Sequence, residues 1–269
     1  IVKPMPERVF EDAFFEYKKN IDLDIEVYSN YLAESTISEY GSESELVINA
    51  YIDLLKCGGK RFRGSLVLIG YEMLGGRDKK MIIQAARAIE MLHAYFLIID
   101  DVQDRSLTRR ANLSTYAYFE DYHKKNELKG DPEQFGISMA LNAAGMGNHA
   151  AQMILANLNV DEQLKLKALG ITNRTSIITF HGQTKDIMNK YVSEITEDDI
   201  KKIMEWKTAN YSVINPLHVG MVLAGAECED TDAITEYGTN VGKAYQLIND
   251  YEGIFSVVLD DNFKSSDIC

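Results

Sequence analysis

Residues 88–104 read AIEMLHAYFLIIDDVQD, an apolar run that ends in a cluster of aspartates. Only Glu90 and His93 interrupt the apolar residues between positions 88 and 99. The run is too short to cross a membrane, which needs roughly 20 apolar residues, so no membrane span is expected. We therefore predict a helix that is buried on nearly all sides and that places carboxylates at its C-terminal end.

The rest of the sequence is also typical of helices. No proline occurs between positions 7 and 131, and apolar residues recur at spacings of three and four, as at Val47, Tyr51 and Leu54. Alternation with a period of two is scarce, so a sheet is not expected. Breaks between helices are predicted at residues 58–59, 75–78, 129–132 and 227–232. We predict an all-α fold, a single-domain helical bundle over residues 1–269.

The overall charge excludes one class of function. The formal net charge is −13 at pH 7, whereas broad nucleic-acid binding needs a basic footprint. The three cysteines, Cys57, Cys228 and Cys269, form no CxxC pair and no even framework of disulfides. We therefore expect no nucleic-acid partner and a location in a reducing cytoplasm.

The acidic cluster has the spacing of a metal site. Asp100 and Asp104 lie four positions apart and share one face of a helix, with Asp101 close by. Carboxylates at the end of a buried helix are costly without a cation, and Mg²⁺ suits oxygen ligands while keeping coordination sites for phosphates. Arg109 and Arg110 follow within two turns and can grip phosphate oxygens. This combination favours a site for a metal-bridged diphosphate over a solvated acidic helix end.

A second basic element, GGKRFRG, occupies residues 58–64. Its two glycines allow the backbone to approach an anion, and Lys60 and Arg63 can converge on that anion. The element alone is a weak signal because basic residues after a glycine turn usually lie on a solvated surface. It gains weight only together with the acidic cluster.

In these motifs the sequence resembles the trans-isoprenyl diphosphate synthase (polyprenyl synthetase) family, from residue 58 to about residue 268. Residues 90–110 are similar to the family's first aspartate-rich region, and residues 58–63 to its GGKxxR element. Gly182, Gln183 and Asp186 stand where the family has GQxxD, and Lys207 and Thr208 stand where it has KT. Residues 246–253 fall where the second aspartate-rich region is expected.

The resemblance implies a bundle around a central cavity, a Mg²⁺ cofactor, and substrates that are isopentenyl diphosphate and an allylic diphosphate. It also implies a homodimer. The implied metal ligands are Asp100 and Asp104 with Asp101 in support, and Asn249 and Asp250. The implied diphosphate-binding groups are Arg109 for the allylic substrate, and Lys60, Arg63, His93 and Arg110 for isopentenyl diphosphate, with Gln183 also in contact with substrate. The implied residues around the reacting carbon are Lys207, Thr208 and Gln246.

The sequence departs from the family pattern in three places. Asn249 replaces an aspartate of the second region, and an amide oxygen can bind Mg²⁺ but carries no charge, so we expect weaker binding. Gly147 and Asn148 stand where the family often has a Gly-Asp pair. The family also continues with further C-terminal helices, which we expect this sequence to lack.

Two aromatic residues predict the length of the product. Phe96 lies four positions before Asp100, on the same helix face and about 6 Å deeper at a rise of roughly 1.5 Å per residue, and Tyr95 flanks it. Both can also be ordinary core aromatics. As the floor of a pocket they favour a C15 product, farnesyl diphosphate, with C20 geranylgeranyl diphosphate next.

Two other functions are also compatible with the sequence. A terpene cyclase is also helical with a DDxxD cluster, but its second metal motif would need side-chain ligands where Gly253 and Val257 stand, and it has no need of Lys60 and Arg63. A non-catalytic or weakly active subunit that partners another prenyl synthase is suggested by Asn249. The intact acidic cluster argues against such a subunit.

Overall fold

The computed structural model describes residues 7–227 and 232–259, with side chains over residues 11–227 and 232–251. The helices are α1 Glu7–Tyr40, α2 Ser42–Lys56, α3 Phe62–Met73, α4 Lys79–Asp104, α5 Thr115–Lys125, α6 Pro132–Ala156, α7 Glu162–Asn189, α8 Glu197–Ile203, α9 Asn215–Leu223 and α10 Asp232–Leu259. Between α8 and α9 the chain continues as a π-helix, Met204–Ile214, called the π segment below. The all-α prediction is confirmed. The sequence after residue 259 and the side chains of Gly253 and Val257 lie outside the described residues.

The apolar run of the sequence forms the C-terminal half of α4. Its side chains are largely buried up to Ile98, as predicted for a core helix. Among the described helices, α4 alone has the length and apolar character of a membrane span, but 72% of its most apolar window is buried within the protein. That burial favours a core helix.

A short antiparallel hairpin follows α4, which the sequence pattern did not predict. β1, Thr108–Arg109, pairs with β2, Asn112–Leu113. The two turn residues, Arg110 and Ala111, both have positive φ values, of 51° and 61°. Such a turn normally uses asparagine and glycine, so this sequence carried no ordinary hairpin signal.

The chain divides into two compact units, and the first comprises residues up to Arg61 together with Arg87–Met153. In its core the Tyr51 side chain is fully buried, and its hydroxyl donates to the Met91 carbonyl on α4 at 2.6 Å. Arg61 is also buried, with an ion pair to Asp22 at 2.7 Å and a longer one to Glu90 at 3.6 Å. These contacts join α1, α2 and α4 to the loop that follows α2.

The second unit comprises Phe62–Ala86 and the residues from Ile154. Helix α3 packs against α9 at close range, since a Cβ at Gly220 would lie 2.7 Å from the Tyr71 amide nitrogen. The π segment packs against α7 and α10, and it buries Thr208, Ala209 and Ser212 among others. The single domain over residues 1–269 stays a prediction.

The buried hydroxyl of Tyr51 gives a test of the first unit. We expect Tyr51→Phe to lower the free energy of unfolding by about 1 kcal/mol, because the ring still fills its site while one buried hydrogen bond is lost. The measurement is the urea midpoint followed by circular dichroism. The control is Tyr31→Phe on α1, where the side chain is 62% exposed. Equal midpoints for the two variants would contradict the role of the hydroxyl.

Candidate functional site

The acidic cluster lies in the last turns of α4, where the three carboxylates have different surroundings. Asp101 is 1% exposed, whereas Asp100 is half-buried and Asp104 is exposed. The guanidinium of Arg109 donates from Nε to Asp101 Oδ1 at 3.0 Å and also lies 3.4 Å from Asp100 Oδ2. Asp101 therefore holds Arg109 against the cluster, while Asp104 faces solvent.

The hairpin explains how Arg109 reaches Asp101. Helix α4 ends at Asp104, Arg105 adopts a positive φ of 53°, and the amide of Ser106 donates to the Asp101 carbonyl at 2.9 Å. The chain thus turns back at once, and β1 brings Arg109 to the helix end. Burial raises the pKa of Asp101, although the Arg109 guanidinium acts to lower it.

The carboxylates of the acidic cluster suit a cation that completes its coordination with oxygens from outside the protein. Among the described residues, no group of three histidine, cysteine or acidic side chains is placed to hold a metal by itself. Asp100 and Asp104 do supply carboxylate oxygens one helical turn apart on a single face. Mg²⁺ takes few protein ligands and completes its shell with water and phosphate oxygens, so this pair suits it.

Lys60 is exposed, and the loop that carries it is anchored on both sides of it. Arg61 donates to the Leu55 carbonyl at 2.8 Å as well as pairing with Asp22. Arg110 donates from Nη1 to the Gly58 carbonyl at 2.7 Å. The structure therefore brings Arg110 to the Gly58–Lys60 loop, in agreement with a shared role for these residues in binding one diphosphate, which stays a prediction.

Three further predicted residues lie on α4 before the acidic cluster. His93 is 6% exposed and lies one position after the buried Leu92. Tyr95 and Phe96 are half-buried, and their ring centroids are 4.9 Å apart at an interplanar angle of 52°. The two rings therefore form one aromatic pair a turn below Asp100.

In the second unit the structure brings the predicted KT pair and the second acidic region together. Lys207 Nζ lies 2.8 Å from Asp186 Oδ2. Thr208 Oγ1 donates to Gln246 Oε1 at 2.7 Å, and Gln246 Nε2 donates to Asp250 Oδ1 at 2.7 Å. All five side chains line one cavity of about 500 Å³.

Asn249 and Gln183 lie in the helices that bound this cavity. The side-chain oxygen of Asn249 is buried and has no hydrogen-bond partner within the described part of the chain. Its lone pairs are thus available to a cation, which is compatible with the predicted role as a metal ligand. Gln183 is 6% exposed on α7. The roles of both residues stay predictions.

Arg63 was predicted to bind isopentenyl diphosphate, and the structure gives it protein partners. It is 7% exposed, its Nη2 donates to Ser212 Oγ at 2.7 Å, and its guanidinium carbon lies 4.4 Å from the centroid of the Tyr211 ring. Both partners belong to the π segment. The Nε–H of Arg63 is buried without a hydrogen-bond partner in the residues described.

The sequence did not predict the contacts that Arg61 and Arg63 make in the structure. Arg61 stands inside a recognised motif, but its partners Asp22 and Glu90 are far away along the chain, so spacing did not indicate a buried ion cluster. Ser212 and Tyr211 were not linked to Arg63 for the same reason.

Comparison with known proteins finds similarity in sequence to one group of enzymes. The chain is 26% identical to a geranylgeranyl diphosphate synthase of Sulfolobus acidocaldarius over 203 residues, covering 75% of this chain and 56% of that protein. It is 28% identical to a (2E,6E)-farnesyl diphosphate synthase of Mycobacterium tuberculosis over 197 residues, covering 73% of this chain and 49% of that protein. The chain thus spans about half the length of these curated relatives.

Solved structures show the same likeness. A geranylgeranyl pyrophosphate synthase of Corynebacterium glutamicum, complexed with isoprenyl diphosphate and magnesium, matches with a TM-score of 0.82 and 26% identity, covering 88% of this chain and 68% of that one. A geranylgeranyl pyrophosphate synthetase of Geoglobus acetivorans matches with a TM-score of 0.68 and 25% identity, covering 86% and 70%. The family model for polyprenyl synthetase matches residues 44–262, which is most of the chain. The chain therefore belongs to the polyprenyl synthetase family.

Proposed function

We propose that this protein is a Mg²⁺-dependent trans-prenyltransferase that joins isopentenyl diphosphate to an allylic diphosphate. The observation that carries the proposal is the Asp101–Arg109 pair, which holds a guanidinium beside the Asp100 carboxylate, one helical turn before Asp104, at the end of a buried helix. Family membership supports the same reaction. A cytoplasmic location and a homodimer are part of the proposal.

The first unit supplies the groups that bind diphosphate. Asp100 and Asp104 would hold Mg²⁺, which would supply positive charge to offset that of the diphosphate. Arg109, held beside Asp100, grips oxygens of the allylic diphosphate. Lys60 and Arg110 bind isopentenyl diphosphate at the glycine loop. These contacts orient the substrates and favour cleavage of the allylic C–O bond.

The second unit supplies the groups that stabilise the reacting carbon. When the C–O bond breaks, its electron pair leaves with pyrophosphate and the allylic fragment becomes a cation. The hydroxyl oxygen of Thr208 and the amide oxygen of Gln246 are dipoles that favour this charge. The π electrons of isopentenyl diphosphate then form the new C–C bond, and the released pyrophosphate accepts the proton that is lost. The Lys207–Asp186 pair keeps the lysine charge oriented.

For product length, we propose C15 farnesyl diphosphate, with C20 next. The support is the half-buried Tyr95–Phe96 pair one helical turn below Asp100. Two adjacent rings at that depth leave less room for a growing chain than one ring and a small residue would. The matched relatives include enzymes named for both chain lengths.

The direct test is an assay of the purified protein with Mg²⁺, isopentenyl diphosphate and dimethylallyl or geranyl diphosphate. We expect pyrophosphate release and a prenyl diphosphate product that chromatography resolves by length, and we expect EDTA to abolish both. Absence of pyrophosphate release with every allylic primer would contradict the proposal and favour a non-catalytic subunit.

The metal ligands can be tested by charge removal. We expect Asp100→Asn and Asp104→Asn each to reduce kcat by about 10²–10³-fold, the usual cost of losing one preorganised charge-stabilising group. More Mg²⁺ should partly restore the rate, because the neutral amide weakens binding rather than abolishing it. The matched control is Asp121→Asn, an acid on the surface of α5 that pairs with Lys125. A loss in the control equal to that in the two variants would count against the assignment.

The lysine of the cavity can be tested in the same way. Lys207→Met should reduce kcat by at least about tenfold with little change in KM, because the proposed role of Lys207 is at the reacting carbon in the transition state rather than in substrate affinity. Lys202→Met is the control, since Lys202 lies on the surface of α8 and pairs with Asp198 one turn away. Unchanged kcat in Lys207→Met would remove Lys207 from the mechanism.

The aromatic pair can be tested by product analysis. Replacing both Tyr95 and Phe96 by alanine should shift the products to C20 and longer, because the floor of the pocket is removed. Tyr118→Ala on α5, where the ring is 39% exposed, is the control and should leave product length unchanged. The same product length in the double variant and in the wild type would exclude the pair as the determinant.

A further inference from the structure

The π segment is held between two glycines, one on each neighbouring helix. A Cβ at Gly182 of α7 would lie 2.6 Å from the backbone nitrogen of Lys207. A Cβ at Gly242 of α10 would lie 2.5 Å from the Cβ of Ala209 and would also contact its Cα. Real Cβ atoms essentially never approach this closely. Both helices therefore meet the backbone of the π segment at positions where only glycine fits without displacement.

One helical turn after each glycine, the same helix carries a side chain that binds a residue of the π segment. Gly242 precedes Gln246 by four positions, and Gln246 accepts the hydrogen bond of Thr208. Gly182 precedes Asp186 by four positions, and Asp186 pairs with Lys207. Residues four apart lie on one face of a helix, so the glycine and its polar partner both face the π segment.

The π geometry makes these contacts sensitive to distance. A π-helix has i→i+5 hydrogen bonds, is found mostly as short insertions within α-helices, and frequently occurs at functional sites. Here the amide of Asn215 donates to the Asn210 carbonyl, and the Asn210 side chain donates to the Glu205 carbonyl at 2.9 Å. A shift of the backbone near Lys207 and Ala209 would rotate Thr208 away from Gln246.

We propose that Gly242 is a positioning residue, which by letting α10 approach the π segment sets the distance between Thr208 and Gln246. Gly182 does the same for Lys207 and Asp186 from the side of α7. Both glycines lack a side chain and face the backbone of the π segment, so each acts through the side chains that it positions. The expected effect on catalysis rests on the proposed function, whereas the effect on the Thr208–Gln246 distance does not depend on it.

The experiment compares two alanine variants of glycines in helices. Gly242→Ala should reduce kcat for pyrophosphate release by about 10–100-fold, since a displacement of 1 Å near reacting groups can cost about 10²-fold. KM for isopentenyl and geranyl diphosphate should stay within about twofold. Gly170→Ala on α7 is the matched control, because no atom lies within 4 Å of the position that the added methyl group would occupy, and it should keep wild-type kcat.

A double-mutant cycle with Thr208→Val separates positioning from a general loss of structure. If Gly242 acts through Thr208, the double variant should be no more than about threefold slower than the slower single variant, because both remove the same interaction. Multiplicative losses would overturn the proposal, as would a kcat for Gly242→Ala within twofold of Gly170→Ala. Gly182→Ala serves as a second variant, and failure of both to fold while Gly170→Ala folds would also overturn the positioning role.

Crystal structures distinguish failure of this inference from failure of the proposed function. If the wild type forms no product, the proposed function fails, and the Thr208–Gln246 distance decides the inference alone. We expect the O–O distance, 2.7 Å in the wild type, to exceed 3.5 Å in Gly242→Ala. A retained hydrogen bond in that variant would overturn the positioning role.

Discussion

The pairing of Asp101 with Arg109 is the interaction on which the acidic cluster of the first unit depends. Asp101 is almost fully buried. Burying a carboxylate costs free energy of folding unless a cation and hydrogen bonds accompany it. Arg109 meets this need only because the chain reverses directly after α4. The ion pair thus holds a guanidinium next to Asp100, and it stabilises the arrangement of charges to which we assign diphosphate binding in our proposal.

In the second unit uncharged oxygen atoms line a cavity, where the proposed reaction would form a carbocation. The π segment places Thr208 and Lys207 on the wall of a cavity where Gln246 and Asp186 hold them. Arg63 supports the same segment from α3 through Ser212. A π-helix has more residues per turn than an α-helix and therefore turns successive side chains by a smaller angle, and this geometry is part of how these side chains meet.

Much of this arrangement could be predicted from the sequence. The apolar run before Asp100 predicted a buried helix. The four-residue spacing of Asp100 and Asp104 predicted that their carboxylates share one helix face. The order of the motifs predicted the family, which the family model confirms. The hairpin at Arg110 was not predictable, because its turn lacks asparagine and glycine. The buried cluster around Arg61 was not predictable either, since Asp22 and Glu90 are distant in sequence.

By itself the sequence determined the helical class, the family and the types of group available for chemistry, because periodicity, spacing and residue type are local properties. Only the tertiary structure decided which charged side chains pair with each other. In the folded chain Arg109 pairs with Asp101 rather than with Asp104, and Arg63 donates a hydrogen bond to the π segment. The physical reason is that burial sets the cost of each unpaired charge, and burial is a property of the packed chain rather than of any one segment.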